Sequence, residues 1–212
     1  MNPHSSKSPF STSELLPQEE MLEIQRSKGE LFIGLPKETS YQEKRVCLTP
    51  DAVNALCQNG HRVLIESGAG LQANFSDKDY SEAGGEITRD TQKVFACPII
   101  LKVAPPSEEE LEMIKPQAIL ISALQLKTRD KSYCETLAKK RITALAFEFI
   151  KDEFGGYPAV KALSEIAGTS SVLIAAEFLS NMSGGNGLMF GNISGVPPVE
   201  IVIIGAGTVG EF

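Results

Sequence analysis

Short apolar runs recur along this chain, separated by segments that begin and end with helix-capping residues, and this alternation limits the folds open to it. Leu31–Leu35, Arg62–Glu66, Cys97–Val103, Ala118–Ala123 and Ile142–Phe147 each read as a strand. Between them, Thr49-Pro50 opens a helix with an N-cap residue and proline at its first position, and Asn59-Gly60 closes it. Ser76-Asp77-Lys78-Asp79 starts a second helix with an acidic residue at the capping-box position. Ser107-Glu108-Glu109-Glu110 starts a third with carboxylates at its positive end, a run that reads as a solvated helix start. Thr128–Lys140 is a fourth. Strands separated by helices of about ten residues form βαβ units, so a parallel sheet with right-handed crossovers is expected.

The remainder of the chain differs in texture. Residues 1–29 are rich in Ser, Glu and Pro and read as a partly disordered extension with a short helix over Gln18–Arg26. An α/β domain is expected over 30–160, ending in the polar loop Lys151–Tyr157. Residues 161–198 then form a connection, with a long apolar helix over Leu163–Met182 followed by a Gly/Pro-rich linker. Residues 199–212 read as the start of a second domain. The fold class is therefore α/β: a Rossmann-like or flavodoxin-like parallel-sheet domain, a connecting helix, and the first strand of a truncated Rossmann domain.

That last reading rests on Val199–Ile204, an apolar β-branched run, followed at once by Gly205-Ala206-Gly207-Thr208-Val209-Gly210. A G-x-G-x-x-G directly after a strand is the phosphate-binding turn of a dinucleotide fold. Gly205 makes the tight turn, Gly207 admits a pyrophosphate, and Gly210 lets the next helix pack on the strand. The other reading is an ordinary glycine-rich strand end. On the dinucleotide reading, the helix whose N-terminus would hold the pyrophosphate and the acidic residue ~20 positions on are both expected to be missing from this chain. The chain is accordingly expected to be a fragment that binds NAD negligibly by itself.

Composition excludes several classes. A net charge of -7 argues against nucleic acid or an anionic membrane surface as partner. No run approaches the ~18 apolar residues of a membrane span. The polar N-terminus lacks the apolar core of a secretory signal. Cys47, Cys57, Cys97 and Cys134 are scattered without C-x-x-C, the pattern of buried thiols in a reducing cytoplasm. His4 and His61 are the only histidines, and neither stands at ligand spacing from a cysteine, so no metal site is expected.

Open α/β sheets bind ligands at the carboxyl ends of their strands, so charged and polar residues there are the candidates. Lys102 sits near the end of a strand that would normally exclude an ammonium, and it needs an anionic or polar partner unless it snorkels from an edge strand. Arg45 lies in the loop after the first strand, where alone it reads as a surface charge. Placed at the same sheet end as Lys102, its fork suits a substrate carboxylate. Glu148 ends the strand Ile142–Phe147, and Gln125 follows Ala118–Ala123 into the crevice. Together these describe a site for a small anionic molecule facing a dinucleotide fold, which suggests hydride transfer.

The residues also resemble a family. Leu31-Phe32-Ile33-Gly34-Leu35-Pro36-Lys37-Glu38 followed by Glu43-Lys44-Arg45-Val46-Cys47-Leu48-Thr49-Pro50 is similar to the N-terminal signature of alanine dehydrogenases and the related nicotinamide nucleotide transhydrogenases. Glu66–Gly70, Phe75–Asp77, Ala83–Ile87, Leu101–Val103, Ser164–Gly168, Gly195–Pro198 and Gly205–Gly207 continue the match. The resemblance implies that Arg45 binds a substrate carboxylate, that Lys102 polarises the keto or carbinolamine oxygen, and that Ser164 contacts the nicotinamide cofactor. It places Gln125 where alanine dehydrogenases carry a proton-transferring histidine. An amide hydrogen-bonds but exchanges no proton near neutral pH, and this departure is more like a transhydrogenase. Ser164–Gly168 and Gly184–Gly187 look like alanine dehydrogenase, and the arginine- and glutamine-bearing loop of transhydrogenases is not visible in Glu148–Ala159. The favoured expectation is an NAD-dependent oxidation of L-alanine to pyruvate and ammonia by a cytoplasmic homo-oligomer, with the nucleotide-binding subunit of a proton-translocating transhydrogenase as the alternative.

Overall fold

The structure is a computed structural model and describes residues 29–191 and 194–212. Residues 1–28 of the expected extension, with the helix over Gln18–Arg26, lie outside the described residues. The sheet strands are β1 (Phe32–Leu35), β2 (Arg62–Glu66), β3 (Glu86–Thr88), β4 (Ile99–Leu101), β5 (Ile119–Ser122) and β6 (Thr143–Ala146). They form one six-stranded sheet in the order β3-β2-β1-β4-β5-β6. Every pairing is parallel. This is the doubly wound Rossmann order, and its direction reverses between β1 and β4. The carboxyl ends of those two strands define the crevice.

Helices α1 (Pro50–Gln58), α2 (Asp77–Glu82), α3 (Thr91–Phe95), α4 (Glu108–Met113) and α5 (Lys131–Lys139) make the crossovers. Their starts follow local chemistry. Thr49 accepts the Ala52 N–H with Pro50 at the first position. Ser76–Asp79 and Ser107–Glu110 form reciprocal capping boxes. Strand β3 and helix α3 were not expected from sequence. Glu86-Ile87-Thr88 is a three-residue edge strand with a single aliphatic side chain, so it carries no readable alternation.

Alternation along the strands divides the core between the two faces. Ile33, Leu35, Val63 and Ile65 pack with Val53 of α1 and Tyr80 of α2. Ile100 and Leu120 pack on the other side with Phe95, Leu111, Tyr133 and Leu137. Both faces of a parallel sheet are thus covered.

Helix α6 (Pro158–Leu179) follows the sheet, beginning earlier than expected because Pro158 supplies its first turn. An 18-residue window of this 22-residue helix has mean hydropathy 1.3, so by length and composition alone it is long and apolar enough to cross a membrane, more apolar than the sequence reading expects. Its amino-terminal half packs near the sheet's loops and carries a Lys161–Glu165 ion pair at 3.8 Å. Val199–Ile204 was expected as a strand, but it has no paired strand among the described residues, and a parallel strand exists only through its neighbours' hydrogen bonds. A short helix, α7 (Thr208–Glu211), follows Gly207, where the sequence reading expects no helix.

The thiols are not uniformly buried. Cys97 is buried, Cys47 and Cys57 are partly so, and Cys134 is exposed, with no disulfide among them. Burial pushes the Cys47 thiol up to about 12 and the Cys97 thiol up to about 11. Iodoacetamide at a pH of about 8 should therefore alkylate Cys134 and spare Cys47 and Cys97, as peptide mass spectrometry would show. Lys140 donates to the carbonyls of Leu111, Glu112 and Ile114 at 2.8, 2.6 and 3.3 Å, closing the carboxyl end of α4 from a neighbouring crossover. Lys140→Met should lower the unfolding free energy by about 1–2 kcal/mol in urea titrations, because those carbonyls lose a charged donor.

Candidate functional site

The site grows from the two loops at the switch point. Lys102 directly follows β4, and its N–H bonds to the Ile121 carbonyl at 3.0 Å, carrying the β4–β5 ladder one residue further. Because β4 is central, Lys102 does not snorkel, and its side chain is 0% exposed. Its ammonium sits 3.2 Å from Glu38 Oε2 and 3.2 Å from Glu110 Oε1. Glu38, in the loop after β1, also accepts the N–H groups of Val103 and Ala104. Glu110 accepts the Thr39 hydroxyl at 3.1 Å and the Ser107 N–H at 2.9 Å. The burial of this ammonium is thus matched by two carboxylates, themselves satisfied, as a buried charge requires. Glu110 is 6% exposed, so the acidic run opening α4 is solvated only at Glu108 and Glu109.

Arg45 lies in the loop between β1 and α1, with half of its side chain exposed. Its Nε and Nη2 donate to Glu43 Oε1 and Oε2 at 2.8 and 2.7 Å, and its backbone N–H donates to Oε1 at 3.0 Å. The hydrogen bonds from Arg45 hold the Glu43 carboxyl below the usual carboxylate range. The guanidinium is raised in turn, first by the same bond.

Gln125 follows β5 in a left-handed backbone conformation, φ 47° and ψ 42°, which a residue with a Cβ adopts only when its surroundings hold it there. Glu148 does so. Its Oε1 accepts the N–H groups of both Leu124 and Gln125 at 2.9 Å. The Thr128 hydroxyl closes the turn from the other side, donating to the Gln125 carbonyl at 2.9 Å. Glu148 Oε2 is buried without a protein partner among the described residues. Glu148, expected to touch the ligand, is thus seen shaping the Gln125 turn.

A cleft of about 610 Å³ lies over these loops, with Arg45, Gln125, Glu148 and Ser164 in its walls. Phe147, Phe149, Leu163 and Val209 supply much of its apolar lining. Lys102 is absent from that lining, being sealed beneath by its two carboxylates. Ser164 and Val209 also border a second cavity of about 530 Å³ that reaches Gly205, Gly207 and Gly210. Apart from Lys102, the sequence candidates therefore line two neighbouring cavities that share Ser164 and Val209.

The glycine turn has the features a pyrophosphate needs. Gly205 takes φ +109°, closed to most side chains, and a Cβ at Gly210 would lie 2.4 Å from the Gly205 carbonyl oxygen. Space around Gly207 is open, and no side chain caps α7, so the backbone there is free to meet an anion. These residues fit a dinucleotide.

Glu38, Glu43 and Glu110 were missed by sequence reasoning. The capping-box spacing of Ser107 and Glu110 gave a local role for Glu110, but nothing local shows a carboxylate turned inward to a lysine on another element. The Glu43-x-Arg45 spacing was the readable signal for that pair.

Comparison with known proteins bears on the family and the fold. Residues 34–167 match the family model described as alanine dehydrogenase/PNT, N-terminal domain, and residues 171–212 match the corresponding C-terminal domain model. Alanine dehydrogenase of Staphylococcus epidermidis is 38% identical over 178 residues, covering 84% of this chain and 48% of the relative. Alanine dehydrogenase of Methanococcus maripaludis is 38% identical over 181 residues, covering 85% and 48%. Among solved structures, an L-alanine dehydrogenase superposes with a TM-score of 0.80 at 35% identity, over 85% of this chain and 50% of the other. A transhydrogenase from Sinorhizobium meliloti shares the fold, with a TM-score of 0.63 at 24% identity over 69% of this chain and 44% of the other. The chain spans about half the length of the curated relatives it matches. With family models matched over most of its length and the Rossmann strand order in place, this chain belongs to the alanine dehydrogenase/PNT family.

Proposed function

We propose that this chain supplies the substrate-binding half of an NAD-dependent alanine dehydrogenase that oxidises L-alanine to pyruvate and ammonia. The observation that carries the reading is the tract joining Arg45 and Gln125 to the Gly205–Gly210 turn through Ser164. In it a small carboxylate and a dinucleotide would lie side by side. The proposed division is a substrate domain over 30–160, a connection over 161–198 and the start of a cofactor domain at 199. The longer protein would be cytoplasmic and a homo-oligomer, which agrees with the many apolar side chains that α6 exposes, Val172, Leu173, Ile174 and Phe178 among them.

The nicotinamide would supply the hydride acceptor for the substrate Cα hydrogen. The chain's own residues divide the remaining work. Arg45 holds the carboxylate and so places the substrate within the cleft. Ser164 orients the cofactor from the cavity it shares with the glycine turn. Gln125 offers an amide donor and acceptor to the reacting oxygen without carrying a proton, so water would serve as the proton carrier there. Lys102 contributes a fixed positive charge beneath the loop ends; it stabilises developing negative charge on the substrate oxygen only if its carboxylate partners let it reach the cleft. The Gln125 substitution favours a second reading, the soluble nucleotide-binding subunit of a transhydrogenase. Membrane-spanning segments in the adjoining coding sequence would select it.

Assay of the longer protein containing this chain with L-alanine and NAD should give NADH, pyruvate and ammonia in equal amounts; absence of turnover would reject the dehydrogenase reading. Arg45→Ala should raise the KM for L-alanine by about 10–100-fold, the worth of charge-assisted hydrogen bonds to a carboxylate. Lys102→Met should destabilise the fold by about 3–5 kcal/mol in chemical denaturation, since Glu38 and Glu110 would be left buried without their cation.

A further inference from the structure

We infer that Glu43 is the positioning residue of the carboxylate site: it occupies the Nε–Nη2 edge of Arg45 and leaves the Nη1–Nη2 edge to receive a ligand carboxylate end-on. The inference rests on the proposed reading of Arg45 as the carboxylate-binding group. A guanidinium offers two edges on which a carboxylate can accept paired hydrogen bonds, one formed by Nε and Nη2 and the other by Nη1 and Nη2. Glu43 takes the first with bonds of 2.8 and 2.7 Å. Among the described residues Nη1 has no hydrogen-bond partner, and Arg45 lines the 610 Å³ cleft while Glu43 does not. Glu43 thus grips one edge of a residue that lines the cleft and leaves the other edge free of protein partners among the described residues.

Another possibility is that Glu43 imitates the substrate carboxylate and must leave before a ligand binds. Two observations oppose it. Glu43 Oε1 also accepts the backbone N–H of Arg45 at 3.0 Å, so one carboxylate fixes both the root and the tip of the same residue. The side chain of Glu43 is 13% exposed against 53% for Arg45. Displacing Glu43 would strand a mostly buried carboxylate without its donors, whereas the exposed edge of Arg45 accepts a ligand at no such cost. A two-residue separation within one loop makes the clamp local, so it is set before any ligand arrives. An arginine so restrained loses less side-chain freedom when it binds. End-on geometry also has a steric consequence. It brings the ligand carboxylate in along the axis of the guanidinium, on the side away from Glu43.

The test uses the longer protein that contains this chain, with pyruvate as the probe, followed by nitrogen-15 NMR of the arginine Nε–H groups and by calorimetry. The Arg45 Nε–H should be protected from solvent exchange in the free protein and stay protected when pyruvate saturates the site. Glu43→Gln should weaken pyruvate binding about tenfold and abolish that protection, with the circular-dichroism melt unchanged. Loss of Nε–H protection on adding pyruvate to the wild type would overturn the inference, and this arm decides even if Glu43→Gln does not fold. Equal or tighter pyruvate binding by Glu43→Gln would overturn it too, provided Arg45→Ala abolishes binding. Should Arg45→Ala bind as the wild type does, or the wild type not bind pyruvate at all, the reading of Arg45 itself falls and the role of Glu43 with it.

Discussion

A single ammonium group ties the switch point together. Lys102 follows the central strand β4, Glu38 follows β1, and Glu110 lies in the first turn of α4; the ammonium touches both carboxylates at 3.2 Å. These elements come from three separate parts of the chain, and the ion pairs lock them at the place where the sheet reverses direction. Buried charge of this kind adds little net stability compared with an apolar replacement, but removing one partner is costly. Its effect is therefore mainly geometric: the loop after β1 cannot move independently of β4 and α4. That loop leads on to Glu43 and Arg45.

Above this fixed layer the cleft is assembled by hydrogen bonds within and between neighbouring loops. Glu148 reaches from the end of β6 to hold the left-handed turn at Gln125. Glu43 holds Arg45. In both cases an acidic side chain orients a residue with possible ligand contacts, a division of labour in which one carboxylate shapes the site and another group meets the ligand. The neutral amide at Gln125 hydrogen-bonds but carries no proton, so that side chain can orient a neighbour without transferring a proton.

Much of the fold was legible in local chemistry. The N-caps at Thr49, Ser76 and Ser107 mark helix starts because an unpaired backbone N–H seeks the nearest side-chain oxygen, an effect complete within four residues. The apolar runs mark strands because both faces of a parallel sheet are buried. β3 and α3 escaped notice because each is too short to show a period. In the site, Arg45, Gln125 and Ser164 were found from position relative to strand ends and from the family resemblance, and they line one cleft. Lys102 was found, yet its concealment was not foreseen, since the burial of an ammonium depends on carboxylates brought from Glu38 and Glu110 by the fold.

Sequence alone determined the alternation of strands and helices, the parallel sheet and the glycine turn, because caps, periodicity and backbone-permissive residues act over a few neighbouring positions. Tertiary structure decided which charges meet. Glu38 lies 64 residues before Lys102 in the chain yet shares its ammonium, and Glu148 lies 23 residues beyond Gln125 yet fixes its backbone. Coulombic attraction and hydrogen bonding depend on distance through space, and only the order of strands across the sheet sets that distance.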